Sequence, residues 1–288
     1  MDSRSYIFIY PLKTNADIPA DFPQDLRSSP FETGVFLPQD DSNWFTRPPR
    51  YPARLLLLED RSLHIVPHPA SGHSAVKIKL DELLQLETGH ILLLGWMKFT
   101  TRGGVQELAY NTRASRPLES FLIELKRRWL GAWPPIHNVQ SLICGEGLDI
   151  KFRNLLHFEL DGDETALIQY FEAPVPIEKK LLFFRRKNWR PGNLVLLTSM
   201  NRLVWITDQY RQRRELYGTI SFSVPVSLLR NCRIEGQDGH RHLELFFTAG
   251  TAWRIRVDEA PDESSSFCHA LNRTCQAAAV RAAQDTIG

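Results

Sequence analysis

A mainly β (α+β) protein built from two similar units, each a set of short strands closed by one C-terminal α-helix, is the fold the sequence predicts. Three observations predict it. Apolar residues recur mostly at the two-residue period of half-buried strands, in short runs separated by polar turns. Amphipathic helical spacing closes each half, in "RPLESFLIELKRRWL" and in "DESSSFCHALNRTCQAAAVRAAQ". The segments between also come twice, in the same order.

The repeat can be followed element by element. "PARLLLLEDRSLHIVPHP" from Pro52 and "PGNLVLLTSMNRLVWITD" from Pro191 each hold a proline, an apolar strand, a polar turn and a second apolar strand. "VKIKLDELLQLETG" and "SFSVPVSLLRNCRIEG" both pass from an alternating strand through a leucine pair to a glycine. "HILLLGWMKFTTRGGVQELAYNT" and "HLELFFTAGTAWRIRVDE" read as hairpins turning at Gly103-Gly104 and at Gly250. In the closing helices Phe121, Leu122, Leu125 and Trp129 fall on one side, as do Phe267, Leu271, Cys275 and Ala278. Phe121 with Phe267, Leu125 with Leu271 and Arg127 with Arg273 keep one constant offset.

The domain boundary follows. "GAWPPIHNVQSLICGEG", residues 131–147, has the prolines and glycines of a linker. It joins a first domain, residues 1–133 with an irregular Pro-rich N-terminal region, to a second, residues 148–288. The second domain opens with a short helix, for which Ile150, Leu155 and Phe158 have the spacing, and "ETALIQYFEAP" is its first strand. In the first domain "SYIFIYPL" and "FETGVFLP" compete for that place.

Six or seven short strands followed by one amphipathic helix resembles the order of a pleckstrin-homology (PH)-like domain, and the second unit is similar to the bacterial PH-like and GRAM-like domains. Thr198, Arg202 and Leu203 carry that likeness at the central hairpin; the first unit lacks the Thr and moves the Arg to Arg61. The resemblance implies two tandem, partly open β-barrels, each capped by its C-terminal helix, and binding rather than catalysis. Such folds serve lipid head groups, peptides and other domains, so the fold does not select among them.

In lipid-binding members of that family, the connection between the first two strands supplies the basic residues that meet phosphate. Here that connection contains "KKLLFFRRKNWR". The resemblance makes Lys179, Lys180, Arg185, Arg186, Lys187 and Arg190 candidate anion contacts, with Arg211, Arg213 and Arg214 in the turn that follows. Leu182, Phe183, Phe184 and Trp189 are candidates for membrane insertion. Lys187 stands where the family's phosphoinositide pattern usually has Arg. A competing reading makes "KLLFF" a short extra strand, with its charges keeping an edge soluble. In the first domain Trp44 and Phe45 are the nearest counterpart.

Composition narrows the remaining classes. The 288 residues are 43% hydrophobic and 24% charged, a globular balance rather than a disordered one. A net charge of +2 leaves any electrostatic role local and disfavours nucleic acid. The cysteines, Cys144, Cys232, Cys268 and Cys275, form no CxxC pair and read as buried free thiols in a reducing cytosol. No leader pattern or membrane-spanning run is read, so the cytoplasm is the expected location, with peripheral membrane contact beside it. His64 and His68 would lie about 13 Å apart along a strand, too far to share an ion, and His240 with His242 lacks a third ligand, so no metal is expected. No phosphate loop, dinucleotide fingerprint or nucleophile elbow is present, and no cofactor is expected.

The sequence therefore predicts a non-enzymatic binding or adaptor protein whose second domain meets a protein partner or an anionic lipid surface. An interaction module that takes a peptide by strand addition is the alternative. An enzyme with its site between the domains comes third.

Overall fold

The computed structural model describes residues 8–28, 30–39, 52–91, 94–112, 115–131, 142–144, 147–160, 164–181, 184–211, 216–237, 240–248, 250–257 and 261–285. For 144, 177–181, 184–188, 209–211, 216–217, 237, 261 and 277–285 it describes the backbone alone. The chain is mainly β and divides into two units. One is residues 1–83 with 92–132, the other 84–91 with 133–288. The short segment 84–91 thus lies with the second unit, although its place in the sequence is in the first half. Among the described residues no sheet closes into a barrel.

In the first unit, β1 (Tyr10–Leu12), β2 (Thr33–Leu37), β3 (Arg54–Glu59), β4 (Ser62–Pro67) and β5 (Val76–Lys79) form an antiparallel sheet in chain order. "FETGVFLP" supplies β2, which pairs with β3, while Tyr10–Leu12 adds an outer strand beside it. Leu55, Leu56, Leu57 and Leu58 are all buried, because β3 is covered on both faces. Leu55 and Leu57 pack with Leu12, Ile18, Phe22 and Phe36, so the N-terminal arm covers one face. The arm is held by His68, whose Nε2 lies 3.0 Å from Asp21 Oδ2. Asp60 takes the left-handed conformation (φ 40°) in the β3–β4 turn, which a short polar side chain tolerates.

β6 (Leu83–Ile91) leads out of this sheet and is described with the second unit. β7 (Leu94–Thr101) and β8 (Gly104–Asn111) then form a hairpin, followed by α1 (Arg116–Gly131). α1 buries Leu118, Phe121, Leu125 and Trp129; Leu122, expected on that stripe, is only half-buried. Trp129 Nε1 donates to the Leu83 carbonyl at 2.7 Å. Arg128 Nη2 reaches Glu32 at 2.6 Å and Nε reaches Glu124 at 2.7 Å, tying the helix to the start of β2.

The second unit contains β9 (Leu142–Cys144), α2 (Ile150–Glu159), β10 (Ala166–Glu172), β11 (Val175–Leu181), β12 (Phe184–Arg190), β13 (Asn193–Thr198), β14 (Arg202–Arg211), β15 (Leu216–Pro225), β16 (Leu229–Gln237), β17 (His240–Phe247), β18 (Ala252–Arg256) and α3 (Pro261–Asp285). Its large sheet runs β6-β15-β14-β13-β10-β9, with β9 parallel to β10. β16, β17 and β18 form a second, antiparallel sheet. The approach of β6 to β15 requires glycine at 218, since a Cβ there would sit 2.3 Å from the His90 carbonyl oxygen.

The two-residue period divides β13 between two cores. Val195 and Leu197 join Tyr170, Leu243, Leu245, Trp253, Phe267 and Leu271, under α3 and the β16–β18 sheet. Leu194 and Leu196 join Phe171, Val204, Ile206 and Phe152 of α2 on the opposite face. The sequence puts a helix at α2 but misreads its inner side. Ile150 and Phe158 are 76% and 71% exposed, and Phe152 is the residue fully buried, with Leu155 and Leu156 beside it.

α2 is fastened by Arg202, the first residue of β14, which is 1% exposed. Its Nε and Nη2 donate to the two carboxylate oxygens of Glu164 at 2.8 and 2.7 Å. Nη1 donates to Ser223 Oγ at 3.1 Å, and Nη2 also donates to the Glu159 carbonyl at the end of α2. Burial works most strongly against the charge, but Glu164 and then Glu159 outweigh it, so this guanidinium holds its proton more tightly than a free one.

Two outcomes are expected. Arg202→Met, which strands Glu164 in the interior, lowers urea-unfolding stability by about 3–5 kcal/mol, whereas the double replacement Arg202→Met/Glu164→Leu recovers most of it. In the first unit, burial and then Lys77 hold the His64 pKa below its ordinary 6.5 despite Glu59. The unfolded chain therefore takes up that proton first, and stability is complete above pH 6.5 and declines on acidification below it. His64→Gln flattens this part of the stability–pH profile, read by denaturant midpoints.

Candidate anion-binding hairpin

The basic stretch is neither an irregular loop nor a lone edge strand. β11 and β12 pair with each other as a two-stranded antiparallel ribbon, inserted between β10 and β13. The cross-strand partners are Glu178 with Lys187, Lys179 with Arg186, Lys180 with Arg185 and Leu181 with Phe184. Two consecutive positions thus set cation opposite cation, and the apolar pair comes next toward the turn. Like charges set opposite each other in an antiparallel pair are destabilising as a rule. Leu182 and Phe183 lie outside the described residues.

The base of the ribbon is built firmly. Arg190 is buried, and its Nη2 lies 3.1 Å from Glu172 Oε1, with the two side chains 10% and 3% exposed. Its charge is therefore matched inside the fold at the strand that precedes the ribbon. Trp189 is 43% exposed. Gly192 ends the exit turn where a Cβ would come within 2.8 Å of the Phe152 ring and 2.9 Å of Pro174. The Gly192 carbonyl accepts from Thr207 Oγ1 at 3.2 Å and from the Asp208 amide at 3.3 Å. Trp205 Nε1 donates to Asn193 Oδ1 at 3.0 Å. These contacts fix both feet of the ribbon on β10, β13 and β14.

The candidate residues therefore sort into groups. Lys179, Lys180, Arg185, Arg186 and Lys187 share the ribbon's distal half with Phe184. Arg190 and Trp189 stand at its base. Arg211 closes β14 opposite Leu216, in a different hairpin. Arg213 and Arg214 lie outside the described residues, as do Trp44 and Phe45 of the first half. Cys144, opposite Tyr170, ends β9, a short strand inside the segment that the sequence reads as linker. The histidines screened for metal have other partners. His64 Nε2 lies 2.8 Å from Glu59, and His240 Nδ1 accepts from Arg256 Nη2 at 2.6 Å. Among the described residues no group of His, Cys, Asp and Glu is arranged to hold a metal ion.

Sequence reading missed Glu172. An acid at the end of the apolar strand "ALIQYFE" is the available signal that one cation of the basic run folds inward. It also missed Asn272 of α3, whose side chain pairs with the Cys232 backbone of β16. Compared with known proteins, the chain matches no family model, and no curated protein matches it.

Reversing charge separates base from tip. Arg190→Glu, which sets a second carboxylate against buried Glu172, lowers the midpoint of urea unfolding by an amount equivalent to about 3–5 kcal/mol. Lys180→Glu, which sets a carboxylate opposite Arg185, changes stability by no more than about 0.5 kcal/mol and does not lower it.

Proposed function

We propose that this chain is a non-enzymatic binding or adaptor protein of two PH-like units, in which the β11–β12 ribbon meets an anionic partner, a membrane surface or an acidic protein. The observation that carries the reading is the register: Lys179 opposite Arg186 and Lys180 opposite Arg185, on a ribbon whose feet are anchored by buried contacts. Repulsion that costs stability in the free protein is offset when an anion lies across those positions. In both halves four strands pair in chain order, β2 to β5 and β13 to β15 with β10, and each half ends in a helix, which supports the PH-like reading.

The magnitudes are adequate for reversible attachment. Each cation beside an anionic membrane contributes at most about 1 kcal/mol. Leu182, Phe183 or Phe184 would each add roughly 1.5–3 kcal/mol if fully inserted. No helix among the described residues is long and apolar enough to cross a membrane, so attachment of this kind would be peripheral. Strand addition remains the second reading, favoured by β5, which ends its sheet with Lys77 and Lys79 exposed and so suits an acidic peptide.

Co-sedimentation with anionic and neutral vesicles across a salt series tests the proposal. Pelleting that requires anionic lipid, weakens with salt and disappears when Lys179, Lys180, Arg185, Arg186 and Lys187 are changed to Glu is the expected result. Equal behaviour of the two proteins at low salt would remove the membrane as the ribbon's partner and leave an acidic protein.

A further inference from the structure

Two apolar side chains of α2 are left over by the fold. The inner side of the helix sets Phe152, Leu155 and Leu156 over the large sheet. Ile150 and Phe158 lie outside that core, 76% and 71% exposed. Eight residues make just over two turns, so the two share the outer face, about 12 Å apart along the axis. Arg153, Asn154 and His157 are exposed on the same side. That face holds no acid. Glu159, the one acidic residue of the helix, is engaged by Arg202, and the capping carboxylate of Asp149 accepts from the Phe152 amide at 2.8 Å.

α2 also starts at the feet of the ribbon. Phe152 lies against Gly192, which follows β12, and Pro174, which precedes β11, lies against the same glycine. Lys151 is ion-paired with Asp208, whose amide donates to the Gly192 carbonyl. The first turn of the helix and the base of the ribbon, where Trp189 is exposed, thus belong to one corner of the second unit.

We propose that the outer face of α2 is a second membrane contact of this unit, seating Ile150 and Phe158 in the surface of an anionic bilayer with Arg153 at the head groups. The inference deepens the reading of the β11–β12 ribbon: it rests on that reading for the choice of an anionic partner and commits the partner to lipid. Two features favour a bilayer over a protein. A helix that enters a partner's groove presents apolar anchors at i, i+3, i+4 and i+7, whereas positions 153, 154 and 157 here are Arg, Asn and His. Apolar residues at both ends of one face, with a cation and no acid between them, instead suit a flat, anionic and apolar surface that touches both at once.

The test uses the full chain and vesicles of phosphatidylcholine with and without phosphatidylserine. Three proteins are compared: the native chain, Ile150→Ser/Phe158→Ser, and the ribbon reversal at Lys179, Lys180, Arg185, Arg186 and Lys187. Both serines fall at exposed positions, so circular dichroism and the urea midpoint stay native. The expected result is partition of the serine protein onto anionic vesicles at least about tenfold weaker than that of the native chain, with native partition retained by Ile150→Leu/Phe158→Leu. Native partition by the serine protein overturns the proposal; if the ribbon reversal alone abolishes pelleting, the ribbon reading stands without the helix. Loss in the serine protein with retention in the ribbon reversal supports the helix contact and removes the ribbon. Absence of native pelleting on either vesicle overturns the helix contact and the membrane form of the ribbon reading together. A dimer in sedimentation velocity that the serines dissolve would then make the face an interface between copies.

Discussion

A guanidinium withdrawn from water ties together the elements on one side of the second unit. Arg202 cannot be buried unless its fork is filled, and what fills it comes from three other elements: Glu164 before β10, Ser223 on β15 and Glu159 at the end of α2. Satisfying one side chain therefore sets where α2 ends and where β10 begins. With α2 so placed, Phe152 falls over Phe171, Leu194 and Leu196, and the outer face of the large sheet is closed. The first unit solves the same problem by other means. Its Arg61 is exposed, and the outer face of its sheet is covered by the arm containing Ile18 and Phe22, latched through Asp21 and His68.

Much of this architecture is legible in the sequence because strands and hairpins are local. The unbroken apolar runs of β3 and β13 announce strands covered on both faces, and Asp60 and Asn201, both at positive φ, sit in the polar turns that follow them. Phe121, Leu125 and Trp129 announce the closing helix. Legibility ends where a choice depends on distant residues. Ile150 and Phe158 suit an inner helical face as well as Phe152 and Leu155 do, and only the sheet beneath decides between them. Segment 84–91 looks like one more strand of its own half, because pairing across so many intervening residues leaves no periodic trace.

The candidate site divides along the same line. A concentration of cations around Phe184 can be read directly, but its arrangement as a ribbon, with cations facing cations, appears only once the register is known. Arg190 belongs by sequence to the same run, yet it serves the fold, because Glu172 lies at the end of the adjoining strand. The buried ion pair and the concentration of cations thus occupy opposite ends of one insertion.

The exchange of β6 bears on how the chain is made. Its residues leave the ribosome long before Gly218–Ser223, the segment they will flank. Until the later half is synthesised, that early strand has to wait without its eventual neighbour. Conversely, a polypeptide beginning at residue 133 would carry a raw backbone edge along β15 and would lose Gln85, which accepts from Trp253 Nε1 at 3.1 Å. The two halves of the chain are therefore not interchangeable as folding units. The second is complete only when it inherits a strand from the first.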